Sequence, residues 1–154
     1  MSPSSAVAAR CVDEARADAL LRGCLAEFPQ ARLTVTGACM TPALLPGDVA
    51  IVEAARGRRP RLGEIVLVRL AEGLRLHRLV PGPRRRGSFR RTKADRAACW
   101  DHPFAPEDLL GTVVAVERGG QVLPAPQRLA PTLRSLARPA LSWLGGGVPR
   151  GPER

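Results

Sequence analysis

Aromatic side chains are nearly missing from this chain: tyrosine does not occur, and phenylalanine and tryptophan together reach only 3% of residues. Phe28, Phe89, Phe104, Trp100 and Trp143 are scattered rather than interleaved with basic residues, so the stacking platforms of single-strand nucleic-acid binders are not expected. Nucleic acid is therefore not an expected partner. Lysine is almost as scarce. Lys93 is the only one, and the net charge of +10, from 24 basic and 14 acidic residues, is almost purely arginine. Such an excess seeks something anionic, whether a lipid surface or an acidic partner. No C-x-x-C pair joins the four cysteines Cys11, Cys24, Cys39 and Cys99, and their spacing suits no zinc site. Neither a metal nor an organic cofactor is expected. No stretch approaches the roughly 20 consecutive apolar residues of a membrane helix, so the chain is not expected to cross a bilayer. Its first residues, MSPSSAVAARCVDEARADALL, carry acids where a secretory leader needs an apolar run. The expectation is a cytoplasmic protein with reduced thiols, able to sit peripherally at a membrane.

What is present is enough for one packed domain with tails: 154 residues, 45% of them hydrophobic. Residues 12–28 place Val12, Ala15, Ala19, Leu20, Cys24 and Phe28 near one stripe at helical spacing, which predicts an amphipathic helix. From Leu33 onward the pattern changes to short runs rich in Val, Ile and Leu: LTVTG, VAIVEA, EIVLVRL, LRLHRLV and GTVVAVER. Glycine and proline, 15 of each, separate them, and this punctuation predicts a mainly β domain. The expected organisation is a helical segment over 1–30, a β domain over 31–122, and a basic Pro/Leu-rich helical tail with a disordered end over 123–154. In that tail Arg128, Arg134, Arg138 and Trp143 read either as a helix packed on the domain or as a segment lying on an anionic membrane. The run RRRGSFRR at 84–91 reads as a charged loop or as a contact to an acidic substrate or membrane.

Nucleophilic catalysis needs a thiol or hydroxyl, a base within reach, oxyanion donors, and a turn that presents the nucleophile. The segment VTGACMTPALLPGD has that kind of backbone, with Pro42 stiffening the turn and Pro46-Gly47-Asp48 leading into the next strand. From this pattern alone Cys39 is equally readable as a packed core cysteine. His77 and His102 are the two histidines, and Lys93 is a further candidate base. His102 lies in an expected loop segment, D-H-P-F, and Cys99 sits between Asp95 and Asp101.

The order GACMTPALLPGDVAIV, LGEIVLV, LHRLV, TKAD, LLGTVVAV resembles the catalytic domain shared by type I signal peptidases and LexA-like self-cleaving repressors, over roughly Leu33 to Arg118. Members of that superfamily show a serine-methionine-x-proline box before a Gly-Asp turn, a Gly-Asp-Ile-Val strand, and a strand carrying the base as lysine-arginine or histidine-arginine. The resemblance implies that Cys39 stands at the nucleophile position, Met40 and Pro42 belong to the substrate-binding box, and His77 is the base. It is the histidine branch that this sequence resembles, and that branch carries a T-K-G-D box with acids after it. Here Thr92, Lys93, Asp95 and Asp101 match, with Ala94 in place of the glycine. Either Asp95 or Asp101 is then expected to orient His77. Serine is replaced by cysteine, whose thiol ionises near pH 8.5 when unperturbed and is well matched to an imidazole near 6.5. The backbone N–H of Cys39 is the implied oxyanion donor. An extended substrate strand is expected to lie beside the nucleophile segment, with small side chains in shallow pockets.

The expectation is therefore a signal peptidase/LexA-like β-fold, with an N-terminal amphipathic helix and a C-terminal helical tail. Its expected function is endopeptidase cleavage of a leader or precursor peptide through Cys39 and His77, in contact with an anionic membrane or a membrane-bound partner. The rival is a catalytically degenerate peptide-binding module of the same fold. A LexA-like regulator is a weaker alternative, because the residues ahead of the β region show one clear helix and are too few for a helix-turn-helix domain.

Overall fold

A computed structural model of the chain describes residues 16–56, 58–81 and 91–126. Its helix, α1, occupies 16–27 and is built from the Ala, Leu and Arg residues that favour helices. Pro29 follows its end and cannot continue it. The last carbonyls of a helix lack intrahelical partners, and here Arg56 supplies one, donating to Ala26 O at 2.6 Å and Leu25 O at 3.3 Å. Asp18 joins α1 to the sheet through an ion pair with Arg69.

The packed face of α1 differs from the expected stripe. Leu25 is buried and Leu21 packs against the same core, whereas Leu20, Phe28 and Cys24 are exposed. The side that packs carries Leu21 and Leu25, and on the same side Asp18 pairs with Arg69 and Arg22.

The strands are β1 (Gln30–Thr34), β2 (Val49–Ala54), β3 (Ile65–Leu70), β4 (Gly73–Val80), β5 (Arg91–Lys93), β6 (Leu109–Arg118) and β7 (Gln121–Pro124). They form one antiparallel sheet in the order β1-β2-β6-β3-β4-β5, with β7 paired to β6. The long β6 is the spine: β2 lies along one edge, while β3 and then β7 share the other. The mainly β expectation is met. In β2 the alternation places Ala50, Val52 and Ala54 inward, the period-2 signature of a half-buried strand. In β3, Ile65 to Val68 are all buried, as a near-continuous apolar run requires when both faces are covered.

Arg118 pairs with Gln121 across Gly119 and Gly120, both at positive φ (57° and 77°). This is the two-residue hairpin that glycine permits without strain. The core divides by face: Met40, Leu44, Val52, Leu67 and Val113 belong to one cluster, and Val66, Val68, Leu79 and Phe104 to the other.

Two strands go beyond the sequence reading. β5 is only three residues long, too short to show a period. β7 carries the sheet to Pro124, past the expected domain boundary at 122. β1 begins at Gln30 rather than Leu33, because the five residues Gln30–Thr34 pair with Glu53–Val49. The tail helix and most of the 84–91 arginine run lie outside the described residues.

Candidate active site

Cys39 is carried by the connection between β1 and β2, and three features hold that connection in place. Met40 and Leu44 are buried in the core, and Leu44 N–H donates to Met40 O at 3.0 Å. At the far end, buried Asp48 accepts from Leu45 N–H at 2.7 Å and from the Arg118 guanidinium at 2.9 and 2.7 Å. Arg118, bonded to Asp48 and followed by the Leu45 amide, holds the Asp48 carboxyl below the ordinary carboxylate range, against the opposing effect of burial. Arg118 also reaches Ala43 O at 3.3 Å, so one β6 side chain pins two points of the Cys39 segment. The thiol itself is exposed, although a packed core cysteine was the alternative reading. No described residue accepts a hydrogen bond from Cys39 N–H, which leaves that amide available as an oxyanion donor.

His77 and Arg78 are successive residues of β4 and therefore face opposite sides of the sheet. Each meets its own carboxylate. His77 is buried, and its Nδ1 lies 2.6 Å from Asp101 Oδ2. The same oxygen accepts from Thr92 Oγ1 at 2.7 Å, and Asp101 N–H donates to Thr92 O at 2.9 Å. Thr92 stands opposite Leu79 in the β4–β5 pairing, on the face that His77 shares. Arg78 makes a bidentate pair with Asp95, with Nε and Nη2 both at 2.7 Å, and also donates to Gly63 O at 2.6 Å and Pro126 O at 2.9 Å. Of the two acids expected near His77, Asp101 is thus its partner. Asp95 is not, because from the turn after β5 it pairs with Arg78, which alternation along β4 places on the opposite face from His77.

The turn after β5 ties the Cys39 segment to the Arg78–Asp95 side of the sheet. Arg96 N–H donates to Cys39 O at 3.1 Å, tying the Cys39 segment to the loop that carries Asp95. Cys39 and Leu76, the residue before His77, line one cavity of about 510 Å³. His77 does not line this cavity: on β4 it alternates with Leu76, pairs with Val66 and shares the face of Leu79 and Thr92, and among the described hydrogen bonds none joins it to the Cys39 thiol. Apolar atoms dominate the cavity: Leu33, Val35, Met40 and Leu44 from the Cys39 side, Leu67, Leu74 and Leu76 from β3 and β4, and Ala17 and Leu21 from α1.

Two strand edges border this space. β5 pairs with β4 only over Arg78 to Val80, so Gly73 to His77 have no strand partner on that edge among the described residues. β1 is the terminal strand of the sheet order. Each edge offers unpaired backbone groups to an extended peptide.

Met40 lines the cavity, but Pro42 is exposed, follows a cis peptide bond, and does not line it. Lys93 is buried on β5 and His102 is exposed. Cys99 is exposed as well. Sequence reasoning assigned no role to Arg118 and matched Thr92 only to a box. A buried acid after Pro-Gly is a local signal, but its arginine partner is 70 residues away. Among the described residues, no helix is long and apolar enough to cross a membrane. No protein-family model, curated protein or solved structure matches this chain.

Proposed function

We propose that this chain is an endopeptidase of the signal peptidase type, with the corresponding β-fold, that cleaves a leader or precursor peptide. Cys39 is the nucleophile, His77 the general base, and Asp101 the residue that orients His77. One observation carries this reading: the 2.6 Å contact between His77 Nδ1 and Asp101 Oδ2, on a carboxylate that Thr92 also fixes. A ring nitrogen facing a carboxylate is the protonated one, so Nε2 keeps the lone pair that general-base work requires. The supporting observation is that the exposed Cys39 opens onto a cavity bordered by the free edge of β4; the β4 residues that line it are Leu74, Arg75 and Leu76, and not His77.

In the proposed reaction His77 Nε2 removes the Cys39 proton, and the thiolate attacks the peptide carbonyl carbon. Cys39 N–H donates to the oxygen as it becomes an oxyanion. Collapse breaks the C–N bond, and His77 returns the proton to the departing amine. Water, deprotonated by the same Nε2, then hydrolyses the thioester and releases the acid. The imidazolium formed in each half is stabilised by Asp101.

The absence of a Cys39–His77 hydrogen bond among the described contacts, and the position of His77 on the β4 face opposite Leu74 and Leu76, favour the rival, a peptide-binding module that keeps the groove without the chemistry. Under the proposed reading the partner is a precursor peptide. The arginine excess then serves to hold the domain against an anionic membrane surface or a membrane-bound protein.

Incubation of the full chain and of Cys39→Ala and His77→Ala with a library of proteome-derived peptides, read by mass spectrometry, separates the two. Loss of all cleavage in both variants is expected. Unchanged cleavage in either removes the dyad, and no cleavage by the parent favours the binding module.

A further inference from the structure

The cavity beside Cys39 is too large for the small side chains that signal peptidase-like pockets are expected to take. It measures about 510 Å³, and its walls include leucines at 33, 67, 74 and 76. One wall comes from outside the sheet, where α1 contributes Ala17 and Leu21. That wall is fixed by the buried Leu25, by the Asp18–Arg69 ion pair and by the Arg56 contacts to the helix end. A cation also borders this apolar space. Arg75 is among the residues that line it, and its guanidinium donates to Leu74 O at 2.8 Å and Glu72 O at 2.7 Å. Among the described residues no carboxylate pairs with it, whereas Arg58, Arg69, Arg78 and Arg118 each have one.

We infer that the substrate is an acidic peptide presenting a bulky aliphatic side chain, of leucine or methionine size, to this cavity, and that α1 sets the size limit. The inference rests on the peptidase reading for its peptide, but its content is the shape and charge of the cavity. An extended peptide projects alternate side chains to one side. One of them lies beside Cys39 among the leucines, while a neighbouring carboxylate meets Arg75 without displacing any existing ion pair. Apolar fit discriminates strongly: one added methylene in a matched pocket is worth about tenfold or more.

The test uses peptidyl chloromethyl ketones, in which a thiolate displaces chloride and becomes alkylated. The rate of Cys39 modification in the full chain is followed by peptide mapping, since Cys24 and Cys99 are exposed too. An Asp-containing reagent ending in leucine is expected to modify Cys39 at least about tenfold faster than its alanine counterpart. Replacing its Asp by Asn is expected to slow it severalfold, and Arg75→Gln to abolish that difference. Ala17→Trp, at an exposed position of α1 that tolerates a large side chain, is expected to reverse the leucine-over-alanine preference by filling the cavity. Equal or reversed rates in the parent chain, an unchanged preference in Ala17→Trp, or no modification of Cys39 by either reagent would overturn the inference. Iodoacetamide, which needs no pocket, reports on the peptidase reading separately. If its rate at Cys39 does not depend on His77 while the leucine preference persists, the dyad fails and the cavity assignment stands.

Discussion

Asp95→Asn should destabilise the domain severely, even though it replaces a single heavy atom. Arg78 is 1% exposed and the Asp95 side chain 4%, so the guanidinium has exchanged water for protein acceptors. Two of its contacts, both at 2.7 Å, go to Asp95; the others go to the Gly63 and Pro126 carbonyls. Asparagine keeps one acceptor but turns an N–H₂ group toward a guanidinium N–H, and it removes the counter-charge. Removing one partner of a buried pair costs about 3–5 kcal/mol, and the surviving acceptor places this case near 3 kcal/mol. Against a total stability of about 5–15 kcal/mol, with a urea dependence of roughly 1.5 kcal/mol/M, the midpoint should fall by about 2 M. The assay is equilibrium urea unfolding followed by far-UV circular dichroism. Removing both charges, as Arg78→Met with Asp95→Leu, should recover much of the loss, because no unpaired ion is then left inside. An Asp95→Asn midpoint within about 0.5 M of the parent would refute the reasoning, since a buried unpaired guanidinium cannot be that cheap.

Two further outcomes follow from the packing. A Cβ at Gly111 would stand 2.4 Å from Glu53 O and 2.6 Å from Val52 Cγ1, where β6 passes between β2 and β3. Gly111→Ala should therefore cost about 1–3 kcal/mol, measured by the same urea titration, and a neutral result would mean that the strands part freely there. Arg118→Ala should cost about 1–2 kcal/mol at neutral pH, the worth of hydrogen bonds to a charged group reduced for the partial exposure of Arg118. Arg118 lowers the Asp48 pKa, so this contribution is complete above the unfolded value near 3.9 and disappears as pH falls through the lower folded value. The stability gap between parent and variant should accordingly close in acid, and a gap that widens below pH 4 would contradict the pairing.

Much of the sheet was legible because its strands are runs of Val, Ile and Leu stopped by glycine: VAIVEA and GTVVAVER read directly as β2 and most of β6. Local pattern did not reveal contacts made at a distance. Leu20 and Phe28 read as the packed side of α1 from spacing alone, but the side that packs carries Leu21 and Leu25, with Asp18 paired to Arg69, 51 residues away. Cys39, His77 and Asp101 were all identifiable as candidates from their order along the chain. Which acid meets His77 was open, because that choice depends on the faces of β5, and three residues carry no periodicity. The staple from Arg118 to Asp48 spans 70 residues, so only its acid end had a local signal, and the hold of Thr92 on Asp101 is made across a turn that has no periodicity.

The central claim is that Cys39 forms a covalent acyl intermediate. It is tested most directly by acid-quenching the full chain during turnover of a cleaved library peptide and mapping the adduct by mass spectrometry. The account predicts a thioester on Cys39 whose mass matches the N-terminal fragment of that peptide, absent in Cys39→Ala and strongly reduced in Asp101→Asn. Cleavage that proceeds with no adduct on Cys39 and persists in Cys39→Ala would contradict it.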